Sequence, residues 1–187
     1  MRAFPMRWFS TACMLALATV LAACSDRPPP DRLVEGRPFP GLILERLDGS
    51  KLPVSALRGK LVVLNVWATW CPPCRKELPS LQRLSQTLDS SRFAVMGLAL
   101  DQDPVPVREY LHDRQVTYAN FMDRGMAISE RVLDMKAYPD TLFIAPDGTF
   151  LGRVVGATRW DDPRVVAALE TAYRGDAAGL MSLPRGM

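Results

Sequence analysis

At 187 residues with a formal charge of +3, the chain has the length of one domain and too little positive charge to read as a nucleic-acid binder. Its 48% hydrophobic and 23% charged content is that of an ordinary globular protein. A single histidine, His112, excludes most histidine-based metal sites.

Arg2 and Arg7 precede a mostly apolar run from Trp8 to Val20. That run is short for a bilayer span and suits the core of a secretory signal. It ends in Leu21-Ala22-Ala23-Cys24, which resembles the lipobox of bacterial lipoproteins. Ordinary cleavage and an uncleaved anchor are the alternatives. On the lipoprotein reading, residues 1–23 are a signal peptide. Cys24 is lipidated, and the chain is anchored on the periplasmic side of a bacterial membrane. Ser25 after the lipidated cysteine suggests the outer membrane, whereas Asp26 leaves the inner membrane open. Residues 24–38 contain Pro28-Pro29-Pro30 and lack an apolar period, as a tether would. The folded domain is expected over residues 39–174, with residues 175–187 as a flexible tail.

Within that domain Leu42–Leu47 reads as a strand, Asp48-Gly49 as a turn and Lys51-Leu52 as a returning strand. Val54–Leu57 forms a helical turn. Lys60–Val66 is a strand buried on both faces, because it shows no polar alternation. From Pro72 to about Leu88 the leucines at 78, 81, 84 and 88 keep helical spacing, with Pro79 expected to kink the helix. Phe93–Leu100 reads as a strand, Val105–Arg114 as a helix, Thr117–Phe121 as a strand and Met126–Leu133 as a short helix. Thr141–Ile144 and Phe150–Val155 form a hairpin around Pro146-Asp147-Gly148. Asp162–Tyr173 closes the domain as a helix, with Val165, Val166, Leu169 and Tyr173 on one face. The alternation implies an α/β fold: a mixed central sheet flanked by helices, with a β-hairpin in front and a β–α insertion in the middle.

If Cys13 leaves with the signal and Cys24 carries lipid, only Cys71 and Cys74 remain. The loop they would close is too small for a disulfide to stabilise the fold much, so a pair kept for chemistry explains them better. A zinc site would need further cysteine or histidine ligands that the chain lacks. Cys71-Pro72-Pro73-Cys74 follows a buried strand and opens a helix. Unpaired N–H groups and the positive end of the helix dipole stabilise a thiolate there, which makes Cys71 the nucleophile. Proline suits the first helical turn, and Cys74, one turn in, is placed to resolve a mixed disulfide.

Trp67-Ala68-Thr69-Trp70-Cys71-Pro72-Pro73-Cys74-Arg75-Lys76-Glu77-Leu78-Pro79 resembles the active-site stretch of the thioredoxin superfamily, in its TlpA/ResA/DsbE-like branch of membrane-tethered thiol oxidoreductases. Tyr138-Pro139-Asp140-Thr141 forms a second match downstream. Taken alone, Pro139 is equally an ordinary trans proline opening a strand. The resemblance implies a cis bond there, with the proline facing the cysteines. It also implies that Glu77 tunes the cysteines and moves a proton, although a glutamate in the first turns merely suits the helix dipole. Asn65 stands where cytoplasmic thioredoxins carry a buried aspartate, so a buried carboxylate role would pass to Glu77. Trp70, Pro72, Pro73 and Tyr138 are candidates for a substrate groove, and Trp67 for the core.

The expected activity is a dithiol reductant of partner-protein disulfides, acting as a monomer without cofactor beyond the Cys71–Cys74 pair and recharged by a membrane electron donor. By resemblance the partners are apocytochrome c or the cysteines of a copper site. A thiol oxidase or isomerase is the alternative. A copper chaperone is a third reading, drawn from His112, Met122, Met126 and Met135, although methionine usually fills core gaps. A peroxidase reading lacks the threonine expected at position 68, where Ala68 stands. Asp101 and Asp103 are expected in a solvated loop.

Overall fold

The computed structural model describes residues 33–183. The leader, Cys24 and the proline run lie outside the described residues. Strands β1 (Ile43–Arg46) and β2 (Lys51–Pro53) pair antiparallel through a turn in which Gly49 adopts φ 88° and the Asp48 carboxylate accepts from the Ser50 N–H at 2.9 Å. A 3-10 turn over Val54–Leu57 leads to β3 (Leu61–Trp67), in which every residue is buried. Helix α1 (Pro72–Thr87), β4 (Phe93–Ala99), α2 (Pro104–Asp113) and β5 (Ala119–Met122) follow. After an irregular segment come β6 (Asp140–Ile144), β7 (Phe150–Val155) and α3 (Pro163–Tyr173).

The strands form one seven-stranded sheet in the order β2-β1-β5-β4-β3-β6-β7. β3, β4 and β5 run parallel, while β1 joins β5, and β6 joins β3, antiparallel. This is the expected mixed sheet with a leading hairpin and a central insertion. The apolar, β-branched run Leu61–Val66 explains the central strand, since a strand flanked by neighbours and covered on both faces has no place for polar alternation. Leu78, Leu81 and Leu84 of α1 are fully buried in the same core.

Helix α1 continues through Pro79. Proline cannot donate to the Arg75 carbonyl, and that oxygen instead lies 3.5 Å from the Tyr110 hydroxyl. On α3, Val165 and Leu169 are buried as expected, but Ala172 completes the buried face while Val166 and Tyr173 are only half-buried.

Three expectations need correction. The segment Met126–Leu133 is not an α-helix: a 3-10 turn (Arg124–Met126) runs into a π-type turn (Ala127–Val132). Met126 sits at φ 56°, and the Asp123 carboxylate accepts the Ile128 and Ser129 N–H groups at 2.9 and 2.7 Å, locking this winding. The folded body begins before Phe39. Gly36 N–H donates to the Phe150 carbonyl at 2.9 Å, and Phe150 N–H donates to the Arg37 carbonyl at 2.8 Å. The chain after Gly175 is not frayed through Leu183: Ala178–Ser182 forms a 3-10 turn with Leu180 and Leu183 buried. Ala177, Ala178, Gly179 and Ser182 lie around those two leucines and mask them in a reading by composition.

Candidate active site

The end of β3 and the start of α1 build the site. The Leu100 N–H donates to the Trp67 carbonyl at 2.9 Å, so the parallel pairing with β4 continues just past the last paired residues. Thr69 is then held by Asp101, whose carboxylate accepts the Thr69 N–H at 3.0 Å and a short hydrogen bond from its hydroxyl. Asp101 is therefore buried and anchors the loop, against the expectation of a solvated position. Asp103 caps α2 by accepting from the Val105 N–H at 2.9 Å. Trp67 is in the core, its indole N–H donating to Asn120 at 2.9 Å, while Trp70 is 54% exposed beside the cysteines.

Cys71 is the N-cap of α1, with Pro72 and Pro73 at the first helical positions. Its Sγ accepts from the Cys74 N–H at 3.3 Å and is bonded to Cys74 Sγ, with the Cα atoms 5.3 Å apart. Cys74 is fully buried, whereas Cys71 retains 5% exposure. The pair is thus asymmetric: Cys71, next to the exposed Trp70, keeps a small accessible surface, and Cys74 has none.

Strand β6 runs antiparallel to β3 with Asp140 opposite Val66, which brings Pro139 to the end of the sheet that carries the cysteines. The Tyr138–Pro139 bond is cis, as the resemblance implies. Pro139 is buried and Tyr138 half-buried. Asp140 is buried 3.2 Å from the Arg153 guanidinium, which also donates to the Leu133 carbonyl at 2.9 Å. Burial pushes the Asp140 carboxyl up to about 6, with Arg153 opposing.

Glu77 is completely buried one turn after Cys74. Oε1 accepts from Asn65 Nδ2 at 2.7 Å, and Oε2 accepts from the Thr158 N–H at 3.0 Å and the Trp160 indole at 2.9 Å. Asn65 Nδ2 also donates to Thr141 Oγ1 at 2.9 Å. Burial raises the Glu77 pKa to about 7, outweighing the three donors that pull it down. Asn65 and Glu77, singled out in the sequence, are thus in direct contact. Thr158 and Trp160 were missed. The available signal was a tryptophan in a polar loop, since a buried indole N–H requires an acceptor.

Met122 and Met135 are buried in the core and Met126 packs against it, while His112 is exposed at the end of α2. Among the described residues no group of three or more His, Cys, Asp or Glu side chains is arranged to hold a metal ion.

A mixed sheet that presents a Cys-Pro-Pro-Cys disulfide at a helix N-terminus, with a cis-proline at the same sheet end, defines a thiol–disulfide oxidoreductase of thioredoxin-like fold. The chain belongs to the AhpC/TSA family, which matches residues 36–151. It is similar to the thiol-disulfide oxidoreductase ResA of Bacillus subtilis, at 27% identity over 126 residues, 67% of this chain and 70% of that protein. ResA of Oceanobacillus iheyensis is 31% identical over 119 residues, 64% of this chain and 62% of that protein. Among solved structures, a putative thiol:disulfide interchange protein DsbE from Chlorobium tepidum superposes with a TM-score of 0.66 at 24% identity, over 76% of this chain and 99% of that one. A putative thioredoxin from Neisseria meningitidis gives 0.65 at 26% identity, over 79% and 97%.

Proposed function

We propose that the chain is an extracytoplasmic, lipid-anchored dithiol reductant of partner-protein disulfides. The asymmetric cysteine pair carries this reading. In the reduced protein the Cys71 thiolate, stabilised by the helix N-terminus, attacks one sulfur of a substrate disulfide. A mixed disulfide forms and the other substrate sulfur leaves as a thiolate, which takes up a proton. Cys74, fully buried, then gives up its proton and attacks Cys71 Sγ. The internal disulfide forms and the second substrate thiol is released. Two electrons and two protons have passed to the substrate. A dithiol donor at the membrane reverses the internal step.

Glu77 supports the reducing direction: it lies one turn after Cys74, and once it ionises, above about pH 7, its negative charge disfavours thiolate, so that the reduced form is less stabilised and a stronger reductant. Pro139, Tyr138, Trp70, Pro72 and Pro73 form the surface on which a substrate strand is held around Cys71. The leader and Leu21-Ala22-Ala23-Cys24 support export and attachment through Cys24. The resemblance to the tethered branch supports apocytochrome c or a copper-site protein as substrate, and a monomer as the working form.

A Cys74→Ser variant is expected to accumulate mixed disulfides through Cys71, read as reductant-sensitive adducts on non-reducing gels. Trapping that required Cys74 and survived loss of Cys71 would reverse the two roles. A glutathione redox titration tests direction: a potential near the roughly −120 mV of strongly oxidising periplasmic proteins would overturn the reductant reading.

A further inference from the structure

Beside the redox pair, α1 and α2 enclose a groove of about 310 Å³ lined by Pro72, Arg75, Lys76, Pro79, Tyr110 and Arg114. The lining contains three cationic side chains and no carboxylate. Tyr110 packs at a tilt on the buried Trp67, with ring centres 5.8 Å apart, and the Arg114 guanidinium lies over its ring at 5.7 Å from the centre. Arg75, Lys76 and Arg114 are exposed, and among the described residues none of them has an ion-pair partner within salt-bridge distance. Arg75 and Lys76 also stand early in α1, where cations oppose the helix dipole, and α1 has no acid in its first turn to offset them. Helix stability therefore does not account for them.

We propose that this groove docks an acidic segment flanking the substrate's disulfide, so that the preferred substrates carry Asp or Glu within a few residues of the reactive cysteine. The inference rests on the reductant reading above and specifies its substrate class. Pro72 belongs both to the groove and to the Cys71–Cys74 loop, so a chain crossing Cys71 continues directly between the helices. Charge complementarity selects the occupant: three cations with no ion-pair partner among the described residues accept carboxylates. A concave site against the disulfide fits a substrate strand better than the flat surface of an anionic membrane.

The test uses the reduced full chain and three cyclic peptides that share one disulfide and are flanked by three Asp, three Ser or three Lys. Reduction rates are followed through tryptophan fluorescence at low and high salt. The Asp peptide is expected to be reduced on the order of tenfold faster than the Ser peptide at low salt, and the Lys peptide slower, with the differences shrinking at high salt. Lys76→Glu and Arg114→Glu are expected to bring the Asp-to-Ser ratio to about one or below. Arg37→Glu makes the same change of charge at the opposite end of the sheet, beside the turn between β6 and β7, and is expected to keep the ratio.

Equal rates for the three peptides would overturn the docking role alone. So would a uniform loss across the peptides in Lys76→Glu, which would mean that the cation acts on the Cys71 thiolate. Loss of the ratio in Arg37→Glu would reduce the effect to net charge and also overturn the groove. Binding to phosphatidylglycerol vesicles that Lys76→Glu abolishes, with peptide rates equal, would reassign the groove to the membrane. Failure to reduce any peptide would sink the reductant reading itself, and the docking role with it.

Discussion

Glu77 accepts three hydrogen bonds and still holds its proton to about pH 7, because burial outweighs them. In the unfolded chain it ionises near its ordinary value of 4.5. Between those values the native state binds more protons than the unfolded one, so stability falls as pH rises. The favourable contribution is full below pH 4.5 and is lost as pH passes 7, about 3 kcal/mol from end to end. Asp140, raised to about 6, acts in the same direction. Urea unfolding between pH 5 and 8 should therefore show the wild type losing stability with pH and Glu77→Gln losing less. The remaining slope should diminish again in Asp140→Asn. A slope unchanged by Glu77→Gln would mean that this carboxylate does not titrate in the window. Asn65→Asp would place a second acid 2.7 Å from Oε1, and two carboxylates at that distance share one proton. Its stability loss should extend to higher pH than that of the wild type.

At the scale of elements, glycine and leucine positions give the sharpest tests. A Cβ on Gly97 of β4 would lie 2.0 Å from Asn120 Oδ1 and 2.9 Å from Trp67 Nε1. Gly97→Ala must push Asn120 away and leave the buried indole N–H without its acceptor, at a cost of at least about 2 kcal/mol in urea unfolding. Leu180→Ala should cost about 2–5 kcal/mol, whereas a frayed tail would make it neutral. The elements that were legible in the sequence are those with a strong repeating pattern. β3 shows an unbroken apolar run, α1 shows leucines at helical steps, and the β6–β7 hairpin brackets Pro146-Asp147-Gly148. The elements that were not legible depend on contacts distant in the chain. The first strand residues expected at Thr117 are diverted because the Thr117 N–H donates to Gln82 at 2.8 Å, so β5 starts at Ala119. The turn after β5 is wound by the Asp123 carboxylate rather than by periodicity. At the site, the Cys-Pro-Pro-Cys loop was legible because its chemistry is local. The acceptor roles of Asp101 and Glu77 were not, since Thr69 lies 32 residues before its partner and Trp160 lies 83 residues after its own.

Across the whole domain, the described chain enters at one end of the sheet and its redox pair sits at the other. Gly36 and Arg37 bond to Phe150 at the start of β7, and Pro38 bridges to Thr149 beside the hairpin turn. The Gly59 N–H donates to the Pro146 carbonyl at 2.8 Å at this same end, just before β3 begins. β3 then runs the depth of the sheet to Trp67, beyond which come Cys71 and Cys74, with Pro139 alongside. Seven residues of strand at about 3.3 Å each put on the order of 20 Å between the entry and the disulfide. The described chain thus enters at the end of the sheet opposite Cys71 and Trp70. The chain attached through its N-terminus to a bead should reduce a soluble cyclic peptide with a kcat/KM within about twofold of the free protein, because the surface approached by substrate is not the surface held. Attachment through a cysteine introduced at Trp70 should block the reaction. Equal inhibition by the two attachments would show that substrates approach across the entry end, and would overturn this separation of the entry from the reactive face.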